Sequence, residues 1–276
     1  MKIKKTIVNN RRNNILQFIK DNKQAKTNEL VDIFKVSEIT IRRDLDYLQS
    51  IGKIERFYGG AEYNESNSCK NLTIENNKEK IAKKCADFIK ENDDIFINSS
   101  STALRVLKYL KNKRVNIITN NAKASYIDID PLVNVILTGG RVSYPKNALT
   151  GTFALNNLKT VASDISILGI SGVSESGKLT TSVIDEVEIN QYMINESTSK
   201  NILVCDSSKF SKTANFKIGT IENIDILITD SSMPRSILEY AESLGIKVIL
   251  VWYKLVNNNF MIESNVYKQK KELALR

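Results

Sequence analysis

The chain has 276 residues, 42% of them hydrophobic and 26% charged, with three Cys, no His and a net charge of +9. At about 100 to 200 residues per domain this length suggests two domains with a core each, and the absence of His excludes Ser-His and Cys-His catalysis, His-held metals and a histidine pH switch. The charge is uneven: residues 1–60 hold 13 Lys/Arg against 7 Asp/Glu, residues 61–253 hold 22 of each, and residues 254–276 hold 5 against 2, so a basic segment precedes a neutral body, the electrostatic footprint of a nucleic-acid-binding module.

Met1 to Asn14 is basic and Asn-rich without the apolar stretch of a signal peptide, and no apolar run approaches the roughly 18 residues of a membrane span. A cytoplasmic protein is expected. From Arg11 to Lys20, Ile15, Phe18 and Ile19 fall at i, i+3, i+4 on one helical face, and Asp21-Asn22 ends the helix. Thr27 can cap a second helix, Asn28 to Phe34, with Leu30, Val31 and Phe34 on one side. Lys35-Val36 is a tight turn, and Ser37 caps a third helix, Glu38 to Ser50. Its apolar Ile41, Leu45 and Leu48 leave Thr40, Arg42, Arg43, Asp46 and Tyr47 elsewhere on its surface. Two short helices with a tight turn, the second opening on hydroxyls and carrying adjacent arginines, suit a reader of the DNA major groove. Gly52 ends that helix, and Lys53 to Gly60 reads as a short two-stranded wing. The whole is a winged helix-turn-helix over residues 1–60.

Residues 61–77 are polar and aperiodic and read as a linker. A helical segment begins at Lys78, with Ile81, Cys85, Phe88 and Ile89 on one face. Strand candidates follow at Ile95–Asn98, Asn116–Thr119, Val133–Thr138, Ile165–Ile170, Ile202–Asp206, Ile224–Asp230 and Lys247–Tyr253. Helix candidates at Ala103–Lys111, Asp185–Glu196 and Pro234–Leu244 alternate with them. Apolar strands separated by helices indicate an α/β domain over residues 78–253, built on a mostly parallel sheet covered on both faces. The basic tail, residues 254–276, reads as a solvated end. Cys69, Cys85 and Cys205 are isolated and read as small buried apolar residues in a reducing compartment.

Ligands of such sheets bind beyond the carboxyl ends of the strands. There the sequence places Ser99, Ser100, Ser101 and Thr102, hydroxyls that open a helix and suit a phosphate. Asn120 follows the second strand, Gly139, Gly140 and Arg141 the third, Gly169 the fourth and Lys209 the fifth, so several anion-binding groups fall on one expected edge. Two enzyme readings fail on residues. Gly172 to Lys178 matches GxxxxGK, but Leu179 stands where the magnesium-binding hydroxyl belongs. A sugar-phosphate isomerase needs a positioned carboxylate base and partners, and no histidine can substitute for one.

The run Val36-Ser37-Glu38-Ile39-Thr40-Ile41-Arg42-Arg43-Asp44-Leu45, followed by Gly52, Arg56 and Gly59-Gly60-Ala61, resembles the signature of the DeoR family of bacterial transcriptional regulators. The Ser99–Thr102 segment, Thr119-Asn120, Gly139-Gly140, Gly151, Leu168-Gly169, Thr180-Thr181 and Asp206–Phe210 fall on motifs of that family's second domain, so the resemblance covers about residues 6–253. It implies that Ser37, Thr40, Arg42 and Arg43 face DNA, with Thr27 and Arg56 as further candidates. It also implies a second domain similar in fold to ribose-5-phosphate isomerase that binds a phosphorylated sugar or related metabolite. Asn98 and Ser171 depart from the family's usual acids, which implies weaker bonds to sugar hydroxyls with the phosphate contacts kept. Asp44 is expected to accept from a neighbouring Arg. The expectation is a DNA-binding repressor of carbohydrate metabolism, a homo-oligomer on operator DNA, without metal or cofactor. The alternative is a sugar-phosphate-binding or isomerase-like enzyme with an appended basic domain.

Overall fold

The computed structural model describes residues 5–50, 52–144, 146–256 and 259–266, which divide into two compact units between Thr73 and Ile74. The first contains α1 (Lys5–Asn22), β1 (Gln24–Lys26), α2 (Thr27–Phe34), α3 (Glu38–Ser50), β2 (Ile54–Phe57) and β3 (Gly60–Tyr63). Its strands pair antiparallel in the order β1-β3-β2, so the wing has three strands rather than two. The apolar positions at helical spacing converge: Ile15, Ile19, Leu30, Ile41, Leu45 and Leu48 are each at most 2% exposed. Into this core runs one carboxylate, Asp44, which accepts from Arg11 Nε at 2.6 Å and Arg12 Nε at 2.8 Å. The Arg12 guanidinium also lies 3.9 Å from the centre of the Tyr47 ring. Asp44 therefore fastens α3 to α1.

Two readings of this region need correction. Lys26, not Thr27, precedes the first turn of α2, and its amide donates to Glu29 Oε2 at 3.3 Å. Thr27 is buried inside that turn, its amide given to Gly59 O at 2.8 Å. Residues 61–77 are also not a loop. Ala61 packs into the core from β3, and α4 (Glu65–Cys85) takes up the rest. From Glu65 to Asn77 its sequence is polar and lacks an apolar stripe, which resembles a linker when only apolar periodicity is sought.

From Ile74 on, the second unit continues with β4 (Asp94–Ile97), α5 (Ser101–Leu104), β5 (Val115–Thr119), β6 (Val133–Leu137), β7 (Arg141–Ser143), β8 (Ala148–Thr150) and α6 (Thr152–Leu158). Then come β9 (Ser163–Leu168), β10 (Gly172–Val173), β11 (Lys178–Thr181), α7 (Val187–Asn195), β12 (Ser197–Val204), β13 (Phe216–Thr220), β14 (Ile226–Asp230), α8 (Arg235–Ser243), β15 (Lys247–Val256) and β16 (Asn259–Val266). One sheet runs β16-β15-β14-β12-β9-β4-β5-β6. From β15 to β6 its strands are parallel, and β16 joins antiparallel. Part of the tail expected to be a solvated end is thus strand β16, and residues 267–276 lie outside the described residues. Alternate strand residues face opposite cores. Ile95, Ile97, Ile202, Val204 and Ile228 pack with Ile81, Cys85 and Leu107, whereas Phe96, Leu203, Leu227 and Leu250 pack under α6, α7 and α8. Gly172 to Lys178 is the turn between β10 and β11, with Gly172 opposite Thr180, and no helix follows it as a nucleotide loop requires.

The chain steps from β4 outward to β5 and β6, and from β9 outward the other way to β12, β14 and β15. The switch point therefore lies between β4 and β9, where loops diverge and leave a crevice. Asn98 joins the two loops there: Oδ1 accepts from the amides of Ser100 (3.2 Å) and Gly169 (3.0 Å), and Nδ2 donates to Gly169 O (2.8 Å) and Asn190 Oδ1 (2.9 Å). The approach is so close that a Cβ at Gly169 would stand 1.9 Å from Ser100 Oγ and 2.3 Å from Ser100 Cβ.

Two outcomes follow from these packings. Asp44→Ala leaves two arginines without their acceptor, at a cost of about 2 kcal/mol once partial exposure is allowed for, read as faster amide hydrogen exchange in α1 and α3; unchanged exchange rejects the lock. Gly169→Ala costs about 1–3 kcal/mol through overpacking, seen as a lower urea midpoint by Trp252 fluorescence. Adding Ser100→Gly should restore most of it, and a double variant no more stable than Gly169→Ala would place the clash elsewhere.

Candidate functional site

The exposed face of α3 carries Ile39, Arg42, Arg43 and Asp46, at i, i+3, i+4 and i+7, opposite buried Ile41, Asp44, Leu45 and Leu48. Ser37 caps this helix, its carbonyl accepting from the amides of Thr40 (2.9 Å) and Ile41 (3.1 Å), and its Oγ lies 2.9 Å from Thr40 Oγ1. Arg42 folds back on Glu38 Oε1 at 2.6 Å, and Arg56 on β2 pairs with Asp46. Among the described residues the Arg43 guanidinium has no hydrogen-bond or carboxylate partner. Thr27 is only 5% exposed and is removed from the set by burial. The turn between β2 and β3 presents Tyr58, fully exposed, a residue sequence reasoning passed over because an exposed aromatic carries no periodic signal.

In the second unit a cleft of about 710 Å³ opens at the switch point. Ser99, Ser100, Ser101, Thr102, Gly169 and Lys209 line it, as does Asn121 in place of Asn120. Asn120 is 1% exposed and donates to Leu149 O at 3.3 Å. Asn121 Nδ2 reaches Ser99 O at 3.1 Å. Gly139, Gly140 and Arg141 lie outside the cleft. The glycines have positive φ, 70° and 102°, Gly140 packs against Thr150 and Ala154, and Arg141 pairs with Asp185. The reason is topological: β6 is the edge strand, two places from the switch point.

The electrostatics of the cleft come from side chains. α5 is a single turn, and its first amides are already satisfied, those of Thr102 and Ala103 by Ser100 Oγ at 3.2 and 3.4 Å. Ser99 Oγ gives its proton to Glu186 Oε1 at 2.8 Å. The expected cradle therefore has two of its four hydroxyls, those of Ser99 and Ser100, and the amides of Thr102 and Ala103 already engaged. Cations take its place: Lys78, Arg105, Lys108, Lys123 and Lys146 line the cleft together with Lys209. Sequence reading missed the first five, since they belong to four separate segments and only Arg105 and Lys108 share a helical spacing. Glu186 is the one carboxylate among the described lining residues; it is 2% exposed and also accepts from Thr181 Oγ1 and Lys146 Nζ, both at 2.8 Å. Cys205 borders the cleft as well, but burial pushes its thiol up and keeps it protonated, as it does for Cys85. A second cleft of about 540 Å³ is lined by Leu155, Glu188 and Phe216, with Lys217 its single cation.

No group of His, Cys, Asp and Glu among the described residues has the arrangement of a metal site. None of the described helices is long and apolar enough to cross a membrane.

The comparisons with known proteins agree with this division. Residues 11–67 match the DeoR-like helix-turn-helix domain, and residues 74–231 match the DeoR C terminal sensor domain. The chain is 30% identical over 256 residues to an uncharacterized HTH-type transcriptional regulator of Haemophilus influenzae, covering 90% of this chain and 99% of that protein. It is 32% identical over 236 residues to the glycerol-3-phosphate regulon repressor of Escherichia coli, covering 83% and 93%. Among solved structures it is similar to ribose 5-phosphate isomerase A of Methanocaldococcus jannaschii, at 15% identity and a TM-score of 0.36 over 72% of this chain and 83% of that one. With its sensor-domain match spanning more than half of its length and its relatives aligned almost end to end, the chain belongs to the DeoR family of helix-turn-helix transcriptional regulators, a family of regulators rather than enzymes.

Proposed function

We propose that this regulator is a cytoplasmic repressor of a carbohydrate-metabolism operon, that it binds operator DNA as a homo-oligomer, and that a phosphorylated sugar or related metabolite in the switch-point cleft modulates it. The observation that carries the reading is the convergence of six cationic side chains on one cleft of a sensor domain. Ammonium and guanidinium groups around hydroxyl-bearing loops suit a phosphate, and Arg105 offers it a fork. Ser99, Ser100, Ser101, Thr102, Gly169 and Lys209 belong to this effector site, joined by Asn121. The glycerol-3-phosphate regulon repressor of E. coli, by its name, supports both the ligand class and the sign of regulation.

On the DNA side, Arg43 reads a base edge, while Ser37, Thr40, Arg42 and Arg56 contact phosphates and fix the register. A single recognition helix buries little surface, so paired half-sites supply the affinity. Effector acts by binding the DNA-competent and incompetent arrangements with different affinity.

Asn98 does not simply weaken the site. Its amide is spent on Gly169, Ser100 and Asn190, and Glu186 supplies the negative charge that orients Ser99, Thr181 and Lys146.

Arg43→Ala should lower discrimination between operator and random duplex by about 1–3 kcal/mol while leaving the fold intact, measured by fluorescence anisotropy at several salt concentrations. Retained discrimination rejects the base-reading role. Lys209→Ala should leave operator affinity unchanged and shift the release curve to higher concentration in a titration with sugar phosphates. Superimposable release curves for wild type and variant count against the cleft.

A further inference from the structure

Three of the cleft's cations are bonded away from it. Lys78, Arg105 and Lys108 line the cleft, yet each is held from behind by Glu75 or Glu79 of α4. Lys78 Nζ lies 2.7 Å from Glu75 Oε1, and Lys108 Nζ lies 3.1 Å from Glu79 Oε1. Arg105 joins both carboxylates, donating from Nε to Glu79 Oε1 at 2.9 Å and pairing through Nη2 with Glu75 Oε2. Its Nη1 donates to Ser101 O at 2.8 Å, so the same guanidinium stands against the loop that follows β4. Glu79 Oε2 further accepts from Tyr109 Oη at 2.9 Å.

We propose that Glu75 and Glu79 are built-in competitors for the anion of the cleft's ligand: they hold Lys78, Arg105 and Lys108 until a phosphate takes those cations over, and so set the concentration at which a phosphorylated ligand binds. This rests on the reading of the cleft as the effector site. Three cations facing two carboxylates leave one net positive charge, so an entering phosphate dianion meets a weaker field than the lysines and arginine would make alone.

The two glutamates can also be displaced. The Glu75 side chain is 49% exposed and that of Glu79 34% exposed, so each returns to water on release, although Lys78 and Arg105 themselves are 16% and 20% exposed, and a pair open to solvent on one side is weaker than a buried one. Glu186 differs: its side chain is 3% exposed, and its pair with Lys146 has no solvent to fall back on. Burial alone would raise the Glu75 and Glu79 carboxyls, but bonding to Lys78 for the first, and to Tyr109, Lys108 and Arg105 for the second, leaves both below the ordinary carboxylate value. They remain ionised, and able to compete, at neutral pH.

The test is calorimetric titration of the full chain with inorganic phosphate and with methyl phosphate, using wild type, Glu75→Gln, Glu79→Gln and the charge-keeping Glu79→Asp. Each Gln variant should bind both probes roughly three- to tenfold more tightly, with Glu79→Asp staying near wild type. Folding is checked by the urea midpoint of Trp252 fluorescence, and two independent Gln variants guard against one failing. Gln variants that bind as wild type or more weakly overturn the inference, and weaker binding shows that the glutamates hold the cations in place for the ligand; phosphate binding by the wild type leaves the effector reading standing in either case. Equal tightening by Gln and Asp overturns it too, because charge is then not the cause. Absence of phosphate binding in every protein overturns the effector reading and this inference together.

Discussion

The second unit is organised around one buried amide. Asn98, 1% exposed, uses both carbonyl lone pairs and both N–H bonds at the point where the chain reverses its direction across the sheet. An aspartate of the same shape would accept from Ser100 and Gly169 but could not donate to Gly169 O and Asn190 Oδ1, leaving two buried acceptors without a partner. The loop after β4 is thereby fixed against the loop after β9, and the side chains of Ser99, Ser100 and Glu186 inherit their positions from that join.

Fixing the loops this closely has an electrostatic consequence. Where Ser100 caps α5 and Ser99 bonds Glu186, the hydroxyls of Ser99 and Ser100 and the amides of Ser100, Thr102 and Ala103 are already engaged. In the proposed reading, recognition of an anion therefore falls to longer cations on α4, on the segments after α5 and β5, on the turn between β7 and β8, and on the segment after β12. Long side chains can exchange partners without moving the backbone, which suits the proposed role of this cleft in sensing a metabolite. Backbone amides in a preformed cradle would instead bind at a fixed, high affinity.

Legibility in the sequence followed the same physics. The parallel strands inside the sheet were readable because both their faces are buried and their residues form continuous apolar runs, and α3 was readable to the residue because its cap and its i, i+4, i+7 stripe agree. β7, β8, β10 and β11 were not, since strands of two to four residues carry too few alternations. Residues 65–77 misled because this polar part of α4 carries no apolar stripe in its sequence. The cleft was half legible: Ser99 to Thr102, Gly169 and Lys209 follow strands near the switch point, whereas Gly139 to Arg141 follow the edge strand and fall outside. Strand order, which decides between these, is set by tertiary pairing that no local pattern records. Asn98 looked like the loss of an acid because two of its three partners, Gly169 and Asn190, are distant in sequence.

The charge map is sharpened in the same way. Residues 1–60 carry a surplus of six positive charges, yet many of their arginines are already engaged: Arg11 and Arg12 are bound to Asp44, Arg42 to Glu38 and Arg56 to Asp46. Net charge acts at a distance, through the field that draws a polyanion and the counterions it releases, and it is unaffected by such pairing. Recognition of a base edge depends instead on donors left without a partner. By that criterion Arg43, on the exposed face of α3, is the arginine of this unit left without a partner among the described residues, and the proposed reading assigns attraction to the whole unit and base discrimination to that side chain.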